Sequence, residues 1–148
     1  MSAYVVDASI GVKWFIPEVH SEAARRLRAA GTVLHAPALF QLELNSVLCK
    51  LVRRGEITPR EAHALQREVS RLPVRLHADE PVLLTAFDMA LELQHSLYDC
   101  IYLALAITLD AQLVTSDRKL VEALTGTPLE RVLCWVEDLP VEPLKRFP

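Results

Sequence analysis

The sequence has few of the features that would quickly assign a small protein to a class. Its three cysteines, Cys49, Cys100 and Cys134, are odd in number and far apart, with no Cys-x-x-Cys pair and no histidine at zinc-ligand spacing. That argues against a disulfide framework or a zinc centre, and the three read as small buried residues in a reducing compartment. There is no basic excess either: 16 Lys and Arg stand against 19 Asp and Glu, a formal net charge of -3. A chain that grips nucleic acid indiscriminately would need a basic surface to displace phosphate counterions, so that class is disfavoured. The first residues lack a basic segment and reach Asp7 after very few apolar ones, so no signal peptide is expected. The longest apolar run, Leu97 to Leu109, is too short to span a bilayer and holds Asp99 inside it. The expectation is a soluble cytoplasmic protein without a membrane partner. Neither Ser9 nor Ser46 sits in a Gly-x-Ser-x-Gly turn, which weighs against a hydrolase nucleophile.

What is present suits one domain, 1–148: a chain of 148 residues with 51% hydrophobic content can bury a substantial core. Only the proline-bearing tail, 140–148, reads as loosely attached. Hydrophobic periodicity alternates strands with helices. Ala3 to Val6 reads as a strand, followed by a short helix that stops before Pro17 and a second helix from Ser21 to Ala30, with Gly31 as its stop. Thr32 to Ala36 is the next strand, closed by Pro37. Helices from Ala38 to Arg54 and from Thr58-Pro59 onward form a hairpin inserted between strands, with Gly55 ending the first and Thr58 capping the second. Val74 to His77, Gln112 to Thr115 and Arg131 to Val136 are further strands; helices are expected from Glu80 to Gln94, Ser96 to Leu109 and Arg118 to Leu124. Alternation of this kind predicts an α/β fold with a mainly parallel sheet covered on both faces. Functional groups in such sheets gather beyond the carboxyl ends of strands, where Asp7 and Asp117 fall.

Four acids stand where apolar neighbours predict burial. Asp99 lies in the apolar helix around Leu97-Tyr98-Asp99-Cys100-Ile101, and Glu43 in Phe40-Gln41-Leu42-Glu43-Leu44. A buried carboxylate is costly unless it is paired, protonated or bound to a cation. Each acid also has an ordinary explanation. Asp7 and Asp117 suit helix N-caps, Glu43 suits a first helical turn, and Asp99 suits the exposed end of a core helix near Ser96. The joint pattern is what points to function. Like charges about 5 Å apart repel by roughly 3 kcal/mol at an effective dielectric near 20, so a convergent cluster takes up protons or cations. An all-oxygen ligand set selects hard divalent ions, Mg²⁺ or Mn²⁺, and their chemistry with phosphate is the activation of water for attack on a phosphodiester.

Other residues are less decisive. Arg118 and Lys119 can reach phosphates or simply form a solvated helix face. Arg53 and Arg54 suit a helix C-terminus. Trp14 and Phe15 read as core or partner-interface residues. His35, His63, His77 and His95 share no spacing and face no evident nucleophile, which leaves a metal-independent histidine mechanism without support.

At these residues the sequence resembles the PIN-domain family, in particular its VapC-like toxins. The resemblance is carried by Val5-Val6-Asp7-Ala8-Ser9 with Val12-Lys13-Trp14-Phe15, by Glu43-Leu44-Asn45, by Tyr98-Asp99 with Tyr102 and Ala104-Leu105-Ala106, and by Leu113-Val114-Thr115-Ser116-Asp117. It implies a three-layer α/β/α fold with sheet order 3-2-1-4-5, a homodimer, RNA as substrate and an antitoxin that covers the acidic pocket. It further implies that Asp7, Glu43, Asp99 and Asp117 are the catalytic, metal-binding acids, with Ser9 and Thr115 orienting them. Two rivals remain open at this point. One is a phosphoacceptor receiver-like domain, although it should carry adjacent acids after the first strand. The other is a non-catalytic module whose pocket only receives a basic side chain from a partner.

Overall fold

A computed structural model describes residues 3–29 and 31–139. The expected tail at 140–148, and Ala30 at the end of the second expected helix, lie outside the described residues. The chain runs β1 (Ala3–Val6), α1 (Ala8–Lys13), α2 (Ser21–Ala29), β2 (Val33–Pro37), α3 (Leu39–Arg53), α4 (Pro59–Val69), β3 (Val74–His77), α5 (Glu80–Leu93), α6 (Leu97–Thr108), β4 (Gln112–Thr115), α7 (Arg118–Leu124) and β5 (Leu133–Trp135). The five strands form one sheet in the order β3-β2-β1-β4-β5. Every pairing is parallel. That order differs from the 2-1-3-4-5 of flavodoxin-type and receiver-type sheets, and the receiver rival falls with it.

The short strands follow from their composition. Val5 and Val6 in β1, and Leu113 and Val114 in β4, are fully buried, as expected of central parallel strands covered on both faces. Right-handed crossovers put the helices between β1 and β3 on one face and those between β3 and β5 on the other. The packing agrees: α1 lies against α2 and α3, and α3 against α4, whereas α5 packs on α6. Helix α6 is apolar on nearly every side because it crosses β1, β2 and β4, and Cys100 to Ala106 are all buried.

The helical hairpin of α3 and α4 forms as its termini predict. Thr58 caps α4 in a complete capping box with Glu61, with Pro59 in the first turn. Gly31 and Gly55, read as helix stops, both take left-handed backbone conformations. A third glycine has a packing role the sequence did not suggest. A Cβ on Gly11 would stand 2.9 Å from the Phe40 ring and 3.0 Å from Leu44, so the bare backbone lets α1 lie directly on α3.

Some boundaries differ from expectation. Strand β2 runs through Pro37, because the next donor, Ala38 N–H, bonds to His77 O at 2.7 Å and carries the ladder past the proline. The final strand shrinks to Leu133–Trp135, flanked by 3-10 turns at Glu130–Val132 and Val136–Asp138. Val132 N–H closes onto Leu129 O at 2.9 Å, which draws Arg131 into a turn. Cys100 and Cys134 are buried as expected, but Cys49 is exposed. It follows the core-facing Leu48 by one position, and helical periodicity turns it outward. No described helix is long and apolar enough to cross a membrane.

Candidate active site

The strand order reverses between β1 and β4. The chain moves outward from β1 to β2 and β3, then returns to lay β4 on the other side of β1. Beyond the carboxyl ends of the two strands lies the crevice where open α/β sheets bind ligands. Val6 pairs with Val114, so Asp7 and Thr115 are neighbours at its floor.

Asp7 is 7% exposed and caps α1, accepting from Ile10 N–H at 3.3 Å. Its capping explanation is therefore true, but incomplete. Among the described residues no basic side chain bridges to it. Burial raises its pKa to about 6, against the bonds from Ser9, Thr115 and Ile10 that favour the ionised form, and the charge on Asp99 raises it further. Ser9 donates to Asp7 Oδ1 and accepts from Ser116, N–H at 3.2 Å and hydroxyl at 3.0 Å. Thr115 is fully buried, and its hydroxyl accepts from Asp117 N–H at 3.0 Å. Both hydroxyls therefore stand between β1 and β4 as ties to the acids.

Glu43 approaches from α3 on one face of the sheet. It lies in the second turn, so a first-turn dipole role does not explain it. Half-buried, it accepts from the Tyr102 hydroxyl at 2.9 Å. Burial raises its pKa, the Tyr102 bond lowers it, and Asp99 raises it again. Asp99 arrives from α6 on the other face. Ser96 caps that helix and leaves Asp99 in the first turn, half-buried, with Oδ2 at 2.7 Å from His95 Nε2.

Asp7 and Glu43 thus each feel the charge of Asp99 across the crevice. Asp117 is joined to them less directly. It caps α7, accepting from Lys119 N–H at 3.0 Å, and donates its own N–H to the hydroxyl of Thr115, which neighbours Asp7 at the strand ends. Among the described residues no three His, Cys, Asp or Glu side chains stand close enough together to enclose an ion. The donor set nevertheless suits a hard divalent cation. It is all oxygen, its innermost carboxylate is buried without a positive partner, and the adjacent Cys100 thiol is pushed up to about 11 by burial and by Asp99, which keeps it neutral. Mg²⁺ is commonly held by one or two carboxylates with water and substrate phosphate completing the shell, so a closed cage is not required.

Three neighbours of the acids were given no role in the site from the sequence: Tyr102, His95 and Ser116. Tyr102 and Asp99 are three apart on α6, the spacing of one helix face, which was the available signal. The other histidines are not wholly unrelated either, since His35 Nδ1 meets His77 Nε2 at 2.9 Å across β2 and β3. Of the two basic residues after Asp117, Arg118 lies 4.7 Å over the Trp135 ring, while Lys119 is exposed. Trp14 is a core residue whose indole donates to Ala24 O at 2.7 Å. Beside Glu43, an open cavity of about 320 Å³ extends between α1 and α3.

This fold and this crevice are those of a recognised class, and the chain belongs to the PIN-domain family, whose model matches residues 4–123. It is 35% identical over 120 residues to ribonuclease VapC3 of Pyrobaculum aerophilum, covering 80% of this chain and 92% of that one. A crystal structure of a protein from Pyrobaculum aerophilum superposes with a TM-score of 0.69 at 24% identity, over 93% of this chain and 86% of that one. A toxin-antitoxin complex from Klebsiella pneumoniae has the same fold, with a TM-score of 0.63 at 14% identity over 88% and 95% of the two chains.

Proposed function

We propose that this chain is a divalent-metal-dependent endoribonuclease, the toxin of a toxin-antitoxin pair, and that Asp7, Glu43, Asp99 and Asp117 hold Mg²⁺ or Mn²⁺. The observation that carries the reading is Asp7: a carboxylate buried at the strand-order reversal, without a cationic partner among the described residues and within reach of the charge on Asp99. The VapC3 relative, named a ribonuclease, supports RNA as the substrate. The fold shared with a toxin-antitoxin complex agrees with a protein inhibitor that covers the pocket. A homodimer working in the cytoplasm completes the proposal.

Each residue has a physical task. Asp7 supplies charge in a nearly dry setting, where its attraction for a cation is least screened. Ser9 and Thr115 hold its carboxylate in one orientation, and Tyr102 does the same for Glu43. Asp99 adds charge from the opposite face, and its bond to His95 sets the direction of one oxygen. When bound, the ion supplies Lewis-acid stabilisation of phosphoryl charge and lowers the pKa of water. Arg118 and Lys119, at the start of α7, lie where flanking phosphates can be met.

The test is incubation of total RNA with the purified chain in Mg²⁺, Mn²⁺ or EDTA, with mapping of the ends produced. Discrete cleavage with either metal and none in EDTA is expected. Asp7→Asn and Asp99→Asn proteins, folded by circular dichroism, should be inactive; cleavage at the wild-type rate would overturn the assignment. A chain that binds a protein partner but leaves RNA intact in every metal is the interaction module instead.

A further inference from the structure

The cavity beside Glu43 does not end at the acids. Ser9 and Val12 of α1 form one wall, and Glu43, Ser46 and Lys50 of α3 form the other. Those three α3 residues are spaced three and four apart and fall on one helix face. Lys50 therefore stands about 10 Å further along the groove than Glu43, at about 1.5 Å of rise per residue. It is exposed, and among the described residues no carboxylate bridges to it. A groove of about 320 Å³ is at the small end of ligand cavities. One end is acidic, the other carries a lone cation, and small or hydroxyl-bearing side chains lie between.

We infer that Lys50 binds a phosphate of the RNA strand that flanks the phosphate being cut, with the intervening sugar in the groove. This rests on the nuclease reading. The acids repel RNA wherever a divalent ion does not offset them, and the chain as a whole is negative. A fixed cation at the far end gives the strand a hold that does not depend on the acidic centre. Lysine is a strongly hydrated point charge, suited to a single diester phosphate.

Lys50 has a competing explanation in the last turn of α3, where it and Arg53 both favour the negative end of the helix dipole. Arg53 does not line the groove, so it serves as the control. The experiment uses the full chain and an RNA oligonucleotide carrying a site mapped for the wild type. Lys50→Ala should raise KM about three- to fivefold, the range of an exposed ion pair, with kcat little changed. The slope of log(kcat/KM) against log salt should become shallower by about 0.7, the loss of one phosphate contact on a single strand. Lys50→Arg should restore both, and Arg53→Ala should alter neither. A Lys50→Ala protein with wild-type KM and slope, or an Arg53→Ala protein that behaves like it, overturns the inference and leaves the nuclease reading intact. A wild type that cleaves no RNA overturns the nuclease reading and this one with it.

Discussion

The Tyr102 hydroxyl donates to Glu43 Oε1 at 2.9 Å and joins α6 to α3 across the crevice. Burial, and then the charge on Glu43, push the phenol far above its usual pKa, so it remains a donor throughout the working pH range. Tyr102→Phe keeps the buried ring and removes only this bond. A stability loss of about 1 kcal/mol is expected, because half-buried Glu43 can be hydrated instead. Metal affinity should fall by about tenfold or more, as it does when an orienting partner of a ligand is removed. Titration of cleavage against Mg²⁺ checks this, and an unchanged midpoint would separate Glu43 from the metal.

Asp7 links stability to pH in an unusual direction. Its folded pKa, about 6, lies above the unfolded value of 3.8. Between these values the folded chain keeps a proton that the unfolded chain has released. The contribution is greatest below about pH 4 and is lost as pH rises through about 6, on the order of 3 kcal/mol in all. In EDTA, Asp7→Asn should therefore gain stability relative to wild type between about pH 4 and pH 7. Thermal melts of both proteins across this range provide the measurement, and parallel curves would contradict the burial argument. Mg²⁺ should narrow the gap, because it binds the ionised form of the folded wild type.

Gly11→Ala tests how closely α1 must approach α3. The new methyl group would press on the Phe40 ring, and such overpacking costs about 1–3 kcal/mol, less the gain of up to about 1 kcal/mol from better helix propensity. Urea denaturation should show a lower midpoint with an unchanged slope. Cleavage should weaken too, since the shift moves Glu43 away from Asp7.

Asp117 caps α7 and is proposed to serve the metal, and one substitution can separate the two. Asp117→Ser keeps a capping oxygen for Lys119 N–H, and serine is about as good a cap as aspartate, so stability should stay within about 0.5 kcal/mol. Cleavage should fall at least about tenfold if its charge serves the metal. Wild-type activity in this variant would make Asp117 a cap and nothing more.

Much of this was legible from local sequence. Apolar runs ending in an acid placed Asp7 and Asp117 at strand ends, and Thr58-Pro59 with Glu61 marked the start of α4. Pairing at long range was less legible. Glu43 and Tyr102 are 59 residues apart, and only the opposite placement of α3 and α6 brings them together. His95 and Asp99 have helical spacing, but His95 precedes the Ser96 cap, so periodicity did not assign it to the same face. The role of Gly11 depends on the separation of two helix axes, which no residue pattern encodes.

The ties between Ser9 and Ser116 span 107 residues, and the partner of β1 at the crevice is β4, near the far end of the described chain. A growing polypeptide therefore makes Asp7 well before the fourth strand that completes the crevice beside it. Until that strand had emerged and docked, the proposed toxin would be harmless to any transcript, including the one being read.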